Sequence, residues 1–445
     1  MIHLLPLGAG LFLAGVSGRV AVMTDGYAAR RFATVGTAMA LLLLTIGAVA
    51  AAATAPEPWQ GLGSSWYWDC GEGRDAGPFV DLLVVLLAVG LAPLRDHPPR
   101  TLAVVLRVGA LALGFLAFTE VWVLALLWAL SALLTARELA ISLGRDSVAV
   151  RAFRRYQAPS LLLPFVAVVI APAYPAVAAV AWLLAIAIRE AVLPMHGWLP
   201  AMMAKAPLGL VVVFVGPQLG VHAHVCGVRE LLAVDVEHLV AAVGAVTAVL
   251  AAALGLAQKD ARRAAAWLII SQTGLVAFGV ENASAAGLAG AVLTWQVTAL
   301  GSSGFVMTVA ALEARRGSLS IVQPGGSFAR TPRMAVAFLF LGFSMVGLPM
   351  TVGFIAEDLL VQGSIDEYPQ LGLLLIVVTA LNGMNVMRCF FALFSGKRDH
   401  TGERDVTRME LLVLTAAMAA LLVPGIAPRL VVVPQHVEAP SSRMK

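Results

Sequence analysis

The chain has 445 residues, of which 60% are apolar and 13% charged, and its mean hydropathy is +0.88. Soluble globular proteins carry roughly 25% charged and 45–50% apolar residues, so a large soluble domain is excluded and the bilayer is the solvent. The net charge of +4 comes from Arg and Lys clustered between apolar runs, which argues for membrane topology and against nucleic acid as a partner.

Membrane spans need about 20 apolar residues each. Runs of that kind predict about fourteen helices, near 4–18, 33–54, 79–94, 101–118, 121–143, 159–173, 175–204, 207–228, 238–257, 262–280, 285–312, 334–364, 370–395 and 409–428. The expected fold is therefore an all-α, polytopic membrane protein. The first run lacks a basic segment ahead of it, so it reads as a span and not as a signal peptide. Arg19/Arg30/Arg31, Arg95/Arg100, Arg145/Arg151/Arg154/Arg155, Lys259/Arg262/Arg263, Arg315/Arg316/Arg330/Arg333 and Lys397/Arg398/Arg404/Arg408 then fall on one side. By the positive-inside rule that side is cytoplasmic, both termini lie outside, and the setting is a bacterial inner membrane. The alternate loops are acidic, with Asp69 and Glu72 in one, Asp235 and Glu237 in another, and Asp366 and Glu367 in a third.

Two spans are interrupted. One carries Pro194 and Pro200 within Ala191-Val-Leu-Pro-Met-His-Gly-Trp-Leu-Pro200, and the other carries Gly347, Pro349 and Gly353. Proline removes an amide donor and clashes with the preceding turn, so the freed carbonyls must face protein, a cavity or water. The breaks stand five spans apart and so run in opposite directions. That spacing predicts two inverted five-helix repeats, residues 101–228 and 229–396, between three N-terminal helices (1–100) and a last helix with its tail (397–445). A packing kink is the alternative for either break.

Ionisable groups at bilayer depth are candidates for function because each costs several kcal/mol unless paired or hydrated. Arg189 and Glu190 precede the first break, and Glu357 and Asp358 follow the second. A carboxylate beside unwound backbone suits a proton or cation relay, whereas Arg189 holds its charge and cannot carry a proton by releasing it. Arg189 and Glu190 also read as a mutually neutralising structural pair. His222 and His224 are relay candidates or packing histidines that face different directions. Glu120 and Glu138 lie near span ends, where they either join an ion path or snorkel to the interface; Arg107, Arg137 and Arg388 complete the set. Cys70, Cys226 and Cys389 show no disulfide or metal spacing. No dinucleotide, P-loop, zinc-protease or serine-hydrolase motif occurs, so no cofactor, metal or catalytic residue is expected and the chain is not an enzyme by itself.

Arg189-Glu-Ala-Val-Leu-Pro-Met-His-Gly-Trp-Leu-Pro-Ala-Met-Met-Ala-Lys-Ala-Pro207 resembles a segment of the antiporter-like subunits of respiratory complex I and of the Mrp antiporters. Lys259-Asp-Ala-Arg-Arg263 with Ser271-Gln-Thr-Gly274, Gly347-Leu-Pro with Gly353-Phe-Ile-Ala-Glu357, and Thr379-Ala-Leu-Asn with Arg388 resemble further stretches in the same order. The resemblance implies a subunit that translocates protons or monovalent cations, or couples their movement to the chemistry of a hydrophilic partner in a larger NADH-quinone-oxidoreductase-like membrane complex. It places Arg189 on the family's lysine of the first broken helix and Glu357 on the lysine or glutamate of the second. Trp128-Ala129 departs from the family's Trp-Glu, Leu208 to Val215 lacks its histidine, and Thr298-Ala-Leu-Gly-Ser302 lacks its lysine. These losses leave open a non-conducting paralogue that docks a partner. Trp128-Ala-Leu-Ser131, Ala149 to Tyr156, His196-Gly-Trp198 and Ala266-Trp267 are similar to the membrane subunit of inorganic-carbon-accumulating systems, which implies a bicarbonate or CO2 alternative with a zinc-containing partner.

Overall fold

A computed structural model of the chain describes residues 4–53, 76–396 and 403–428. Asp69, Cys70, Glu72, Lys397 and Arg398 lie outside those residues, and the side chains of Asp366 and Glu367 are not described. The chain is an all-α, polytopic membrane protein: each expected apolar run is helical. Among the described residues, nine helices are long and apolar enough to cross a membrane.

In chain order the helices are α1 (Leu4–Ala21), α2 (Gly26–Ala53), α3 (Gly77–Gly90), α4 (Pro99–Ala117), α5 (Val121–Leu143), α6 (Val148–Ile170), α7 (Pro175–Arg189) and α8 (Trp198–Met203). There follow α9 (Leu208–Val215), α10 (Leu219–Ala223) with π and 3-10 turns to Leu231, α11 (Val234–Leu256), α12 (Ala261–Gly279) and α13 (Ala285–Arg316). The last four are α14 (Pro332–Ser344), α15 (Val352–Glu367), α16 (Pro369–Phe394) and α17 (Arg408–Ile426). Proline opens α3, α4, α7, α14 and α16, where its missing N–H has no helical partner to lose. Asp260 caps α12 through Arg263 N, Ser284 caps α13 through Gly287 N, and Thr407 with Glu410 closes a capping box on α17.

The centre is α13, a 32-residue helix buried along nearly its whole length. A helix apolar on every side must be surrounded, and α3, α9, α12, α14, α15 and α17 all pack on it. Helix α11 lies close along α12 because Gly244 and Gly274 sit at the crossing: a Cβ on either would strike backbone of the other helix. Small residues at such a crossing let two backbones approach, which is how membrane helices gain contact without a hydrophobic driving force.

The expected boundaries need three corrections. Helix α2 begins at Gly26 and α6 at Val148, so Arg30, Arg31, Arg151, Arg154 and Arg155 stand on helices and not in loops. Arg30 is buried and donates to Ala92 O at 3.2 Å, whereas Arg31, Arg151, Arg154 and Arg155 are exposed. Pro159 and Pro164 lie inside α6, and neither ends it. Pro164 frees the carbonyl of Ser160, and Trp128 Nε1 donates to that oxygen at 3.0 Å. The run at 207–228 is the third correction, since it is broken at Gly216–Gln218, between α9 and α10.

The loop between α3 and α4 is pinned by His97, which is fully buried. Its Nδ1 lies 3.0 Å from the Pro93 carbonyl, and its Nε2 accepts the Gly209 amide at 3.0 Å. Burial lowers the imidazole to about 4 from 6.5, against the opposing pull of the Pro93 carbonyl and Asp96; Arg262 adds a smaller downward push. The unfolded chain therefore binds a proton near pH 6.5 that the folded chain refuses. Stability is intact above that pH and falls as pH drops toward 4, by about 3 kcal/mol in all. His97→Gln should flatten this acid limb of the thermal midpoint of the solubilised protein. Equal limbs in both proteins would show that the histidine is not its source.

Candidate functional site

The helices are interrupted at three places, and each holds a non-glycine residue in the left-handed region: Ala191 (φ 57°), Gln218 (φ 43°) and Met350 (φ 72°). Such backbone is strained and persists only where its surroundings impose it. A buried tryptophan satisfies a loose carbonyl at the first break and another at the third. Trp198 Nε1 donates to Ile188 O at 2.8 Å, and Trp295 Nε1 donates to Pro217 O at 3.0 Å. The freed polar groups are thus held by protein, as the hydrocarbon setting demands. Pro194, Pro200, Gly347, Pro349 and Gly353 all lie in or beside these turns.

Arg189 ends α7 and is 2% exposed. Its guanidinium lies 4.5 Å from the Trp128 ring and 4.2 Å from the Phe214 ring, and Nη1 donates to Ser131 Oγ at 3.0 Å and to Trp128 O at 3.4 Å. No carboxylate lies within ion-pair distance of it among the described residues. Aromatic faces and oxygen dipoles replace an acidic partner, which Ala129 beside Trp128 does not supply. Glu190 turns to a different wall and accepts the Gly220 amide at 2.9 Å. The two make no ion pair of the kind that adjacency suggested. Consecutive helical residues project about 100° apart, which separates them.

The second break repeats one device. Glu357 accepts from Thr379 Oγ1 at 3.2 Å, and its carboxylate abuts Gly347 (φ 73°) so closely that a Cβ there would overlap it. Gly220 packs on the Glu190 carboxylate in the same manner. Each break thus sets a carboxylate against a glycine. Asp358 is a correction: it faces outward and accepts from Gln362 Nε2 at 2.8 Å, because its neighbour occupies the inward direction.

Between the two carboxylates runs a row of buried polar side chains that the sequence reading had not singled out as a set. Past Gly220, Gln218 Nε2 donates to Thr273 Oγ1 at 3.0 Å. Ser271, two residues away on α12, accepts from Asn382 Nδ2 at 2.9 Å, and Asn382 stands one turn from Thr379, the partner of Glu357. Thr247 Oγ1 accepts the Leu193 amide at 3.3 Å beside the first break. Gln218 Oε1, both Gln272 amide atoms, Thr298 Oγ1 and Asn382 Oδ1 are buried with no hydrogen-bond partner among the described residues. The signal for this row was faint: polar residues on otherwise apolar α12, α13 and α16.

The histidines divide. His222 is buried with its ring edge on Phe115, 5.6 Å between centroids. His224 Nε2 lies 2.6 Å from Glu281 Oε1, and both are almost wholly buried. Glu281, past the end of α12, was not among the expected residues. Glu120 is exposed at the start of α5, away from the row. Glu138 does not snorkel: it is 2% exposed and accepts from Thr101 Oγ1 at 2.6 Å, Arg100 Nη2 at 3.2 Å and Ser142 Oγ at 3.2 Å, a structural tie between α4 and α5. Arg107 bonds Ser17, and Arg388 donates to Gly255 O at 3.1 Å. Cys226 is disulfide-bonded, against the expectation from spacing; Cys389 is free and buried, and the partner lies outside the described residues.

Residues 174–382, which contain both broken helices and the polar row, match the family model described as NADH:quinone oxidoreductase/Mrp antiporter, TM. That stretch is similar to the antiporter-like membrane subunits that the model describes. The chain is 23% identical over 257 residues to NADH-quinone oxidoreductase subunit M of Rickettsia typhi, covering 55% of this chain and 51% of the relative. It is 27% identical over 265 residues to subunit N of Paraburkholderia phymatum, covering 55% and 52%. The chain spans about half the length of these curated relatives. Its fold is shared with a chain of respiratory complex I from Thermus thermophilus (TM-score 0.81, 22% identity, 96% of each chain covered). It is shared also with a chain of the Mrp complex from Dietzia (TM-score 0.76, 18% identity, 96% and 95% covered). The positions where the resemblance implied a glutamate, a histidine and a lysine are Ala129, the apolar α9, and Ser302 on α13.

Proposed function

We propose that this antiporter-like subunit works within a multi-subunit membrane complex, where it moves protons or monovalent cations or couples their movement to a partner's chemistry. The observation that carries this reading is the set of buried polar contacts between the two carboxylates: the Gly220 amide on Glu190, Gln218 on Thr273, Asn382 on Ser271 and Thr379 on Glu357. Hydroxyls and amides at membrane depth are costly unless they bond each other or water, so a series of them between two carboxylates suits ion passage better than packing. Its unpartnered oxygens and nitrogens are the groups that water satisfies in a wetted path. Two carboxylates supply the steps at which charge is taken up and released, and Arg189 biases the first of them electrostatically. In this reading the two breaks belong to inverted repeats, the arginine-rich end faces the cytoplasm across an inner membrane, and both termini lie outside.

The test is isolation of the tagged chain from its native membrane in mild detergent, followed by identification of the proteins that accompany it and by flux measurement in vesicles. A quinone-reducing or hydrogenase-like partner with ion flux supports the reading. A zinc-containing partner would select inorganic-carbon accumulation, and a lone chain without flux would sink a coupled subunit.

A further inference from the structure

A cavity of about 440 Å³ opens between α5 and α6 at the arginine-rich end of the bundle, lined by Arg137, Arg145, Arg154 and Gln157 above Ala132 and Leu161. The three arginines are exposed, and none makes an ion pair among the described residues. Glu138, next to Arg137 in sequence, is taken up by Arg100, Thr101 and Ser142 on the other side of α5. Asp146 stands in the same turn and pairs with none of the three. Gln157 is 2% exposed, and both atoms of its amide are without a partner. One face of this cavity therefore offers three free guanidinium groups and an unspent donor and acceptor.

The residues are ordered by depth. Arg145 lies in the turn that joins the helices, while Arg137 and Arg154 each stand six residues into their helix, about 9 Å further in. Gln157 is deeper again, and Ala132, Leu133 and Leu161 lie below it. We propose that this cavity holds the phosphate headgroup of an anionic phospholipid, with an acyl chain along the alanine and leucine wall. Guanidinium groups match phosphate oxygens in a bidentate manner, and basic pockets between membrane helices attract anionic headgroups. The buried amide of Gln157 bonds the glycerol or phosphate oxygens. Free phosphate would satisfy the arginines and leave the apolar wall bare. An acidic polypeptide would have to follow the wall into the depth of α5, where hydrocarbon is the natural occupant.

The test is native mass spectrometry of the full chain released from vesicles of phosphatidylglycerol and phosphatidylcholine in equal amounts. The unaltered protein should retain phosphatidylglycerol in preference. The combined Arg137→Gln, Arg145→Gln, Arg154→Gln variant should retain on the order of tenfold less. Gln157→Leu, with no change of charge, should weaken retention by a smaller factor. A control at the same end, Arg263→Gln, Arg330→Gln and Arg333→Gln, should retain as much as the unaltered protein. A matching melting curve for each variant in phosphatidylcholine alone verifies that it is folded. Equal losses in both triple variants, or no preference in the unaltered protein, would overturn the site. So would displacement by inorganic phosphate or an acidic polypeptide bound there in place of lipid.

Discussion

Glu357→Gln is expected to reduce ion flux through vesicles that contain the assembled complex by at least about tenfold, with assembly unchanged. Glutamine keeps the shape of the side chain and can still meet Thr379, which donates to Glu357 Oε1 at 3.2 Å. What it removes is the ability to gain and lose charge beside the unwound backbone at Gly347. A companion variant separates charge from position. Gly347→Ala places a Cβ on the Glu357 carboxylate and forces alanine into the left-handed region, so it should lower flux by displacing a carboxylate that remains ionisable. If Glu357→Gln conducts as well as the unaltered protein, the polar row is packing and the subunit is a scaffold.

The second large effect is expected at Arg189. Arg189→Met preserves much of the volume between the Trp128 and Phe214 rings and removes a buried charge that has no acidic partner. Replacing a buried ion by an apolar side chain of similar size is often neutral or stabilising, so the melting temperature should hold or rise while flux falls at least about tenfold. Arg189→Ala leaves a void under two aromatic rings and should cost about 3 kcal/mol in stability as well. Arg189→Lys is not conservative here, because the planar guanidinium lies 4.5 Å and 4.2 Å from the two rings and bonds Ser131 at 3.0 Å, and an ammonium cannot do all of this at once. It should give intermediate flux. Undiminished flux in Arg189→Met would show that the charge has no part in conduction.

The two carboxylates also bear on the missing family residues. Ala129, the apolar α9 and Ser302 remove titratable steps that the superfamily resemblance implied. In their place stand hydroxyls and amides that can pass a hydrogen bond through water but cannot store a proton. A path of this kind has its charge-changing steps at its ends, Glu190 and Glu357, and so both should be needed for flux.

Composition alone determined that the bilayer is the solvent, because so low a charge content cannot coat a soluble protein of this length. Apolar run lengths determined the helices, and Pro194, Pro200, Gly347 and Pro349 marked two of the breaks, since proline and glycine act on the local backbone wherever they occur. The motifs from Arg189 to Arg388 carried the resemblance to antiporter-like subunits. The break at Gly216–Gln218 carries the same kind of mark in Gly216-Pro217, although the apolar run around it reads as one span, and the carbonyl that Pro164 frees in α6 is met by Trp128, a residue 36 positions away. Only the tertiary structure decided where the charged pairs point: Arg189 and Glu190 are both buried against different partners, while Glu357 meets Thr379 and Asp358 is exposed. Arg189 and Glu190, like Glu357 and Asp358, are equivalent in sequence, and the rotation of a helix about its axis is set by what packs against it. The same reason hid the polar row. Gln218, Thr273 and Asn382 are far apart along the chain, and their approach depends on the close crossing of helices, not on any local pattern.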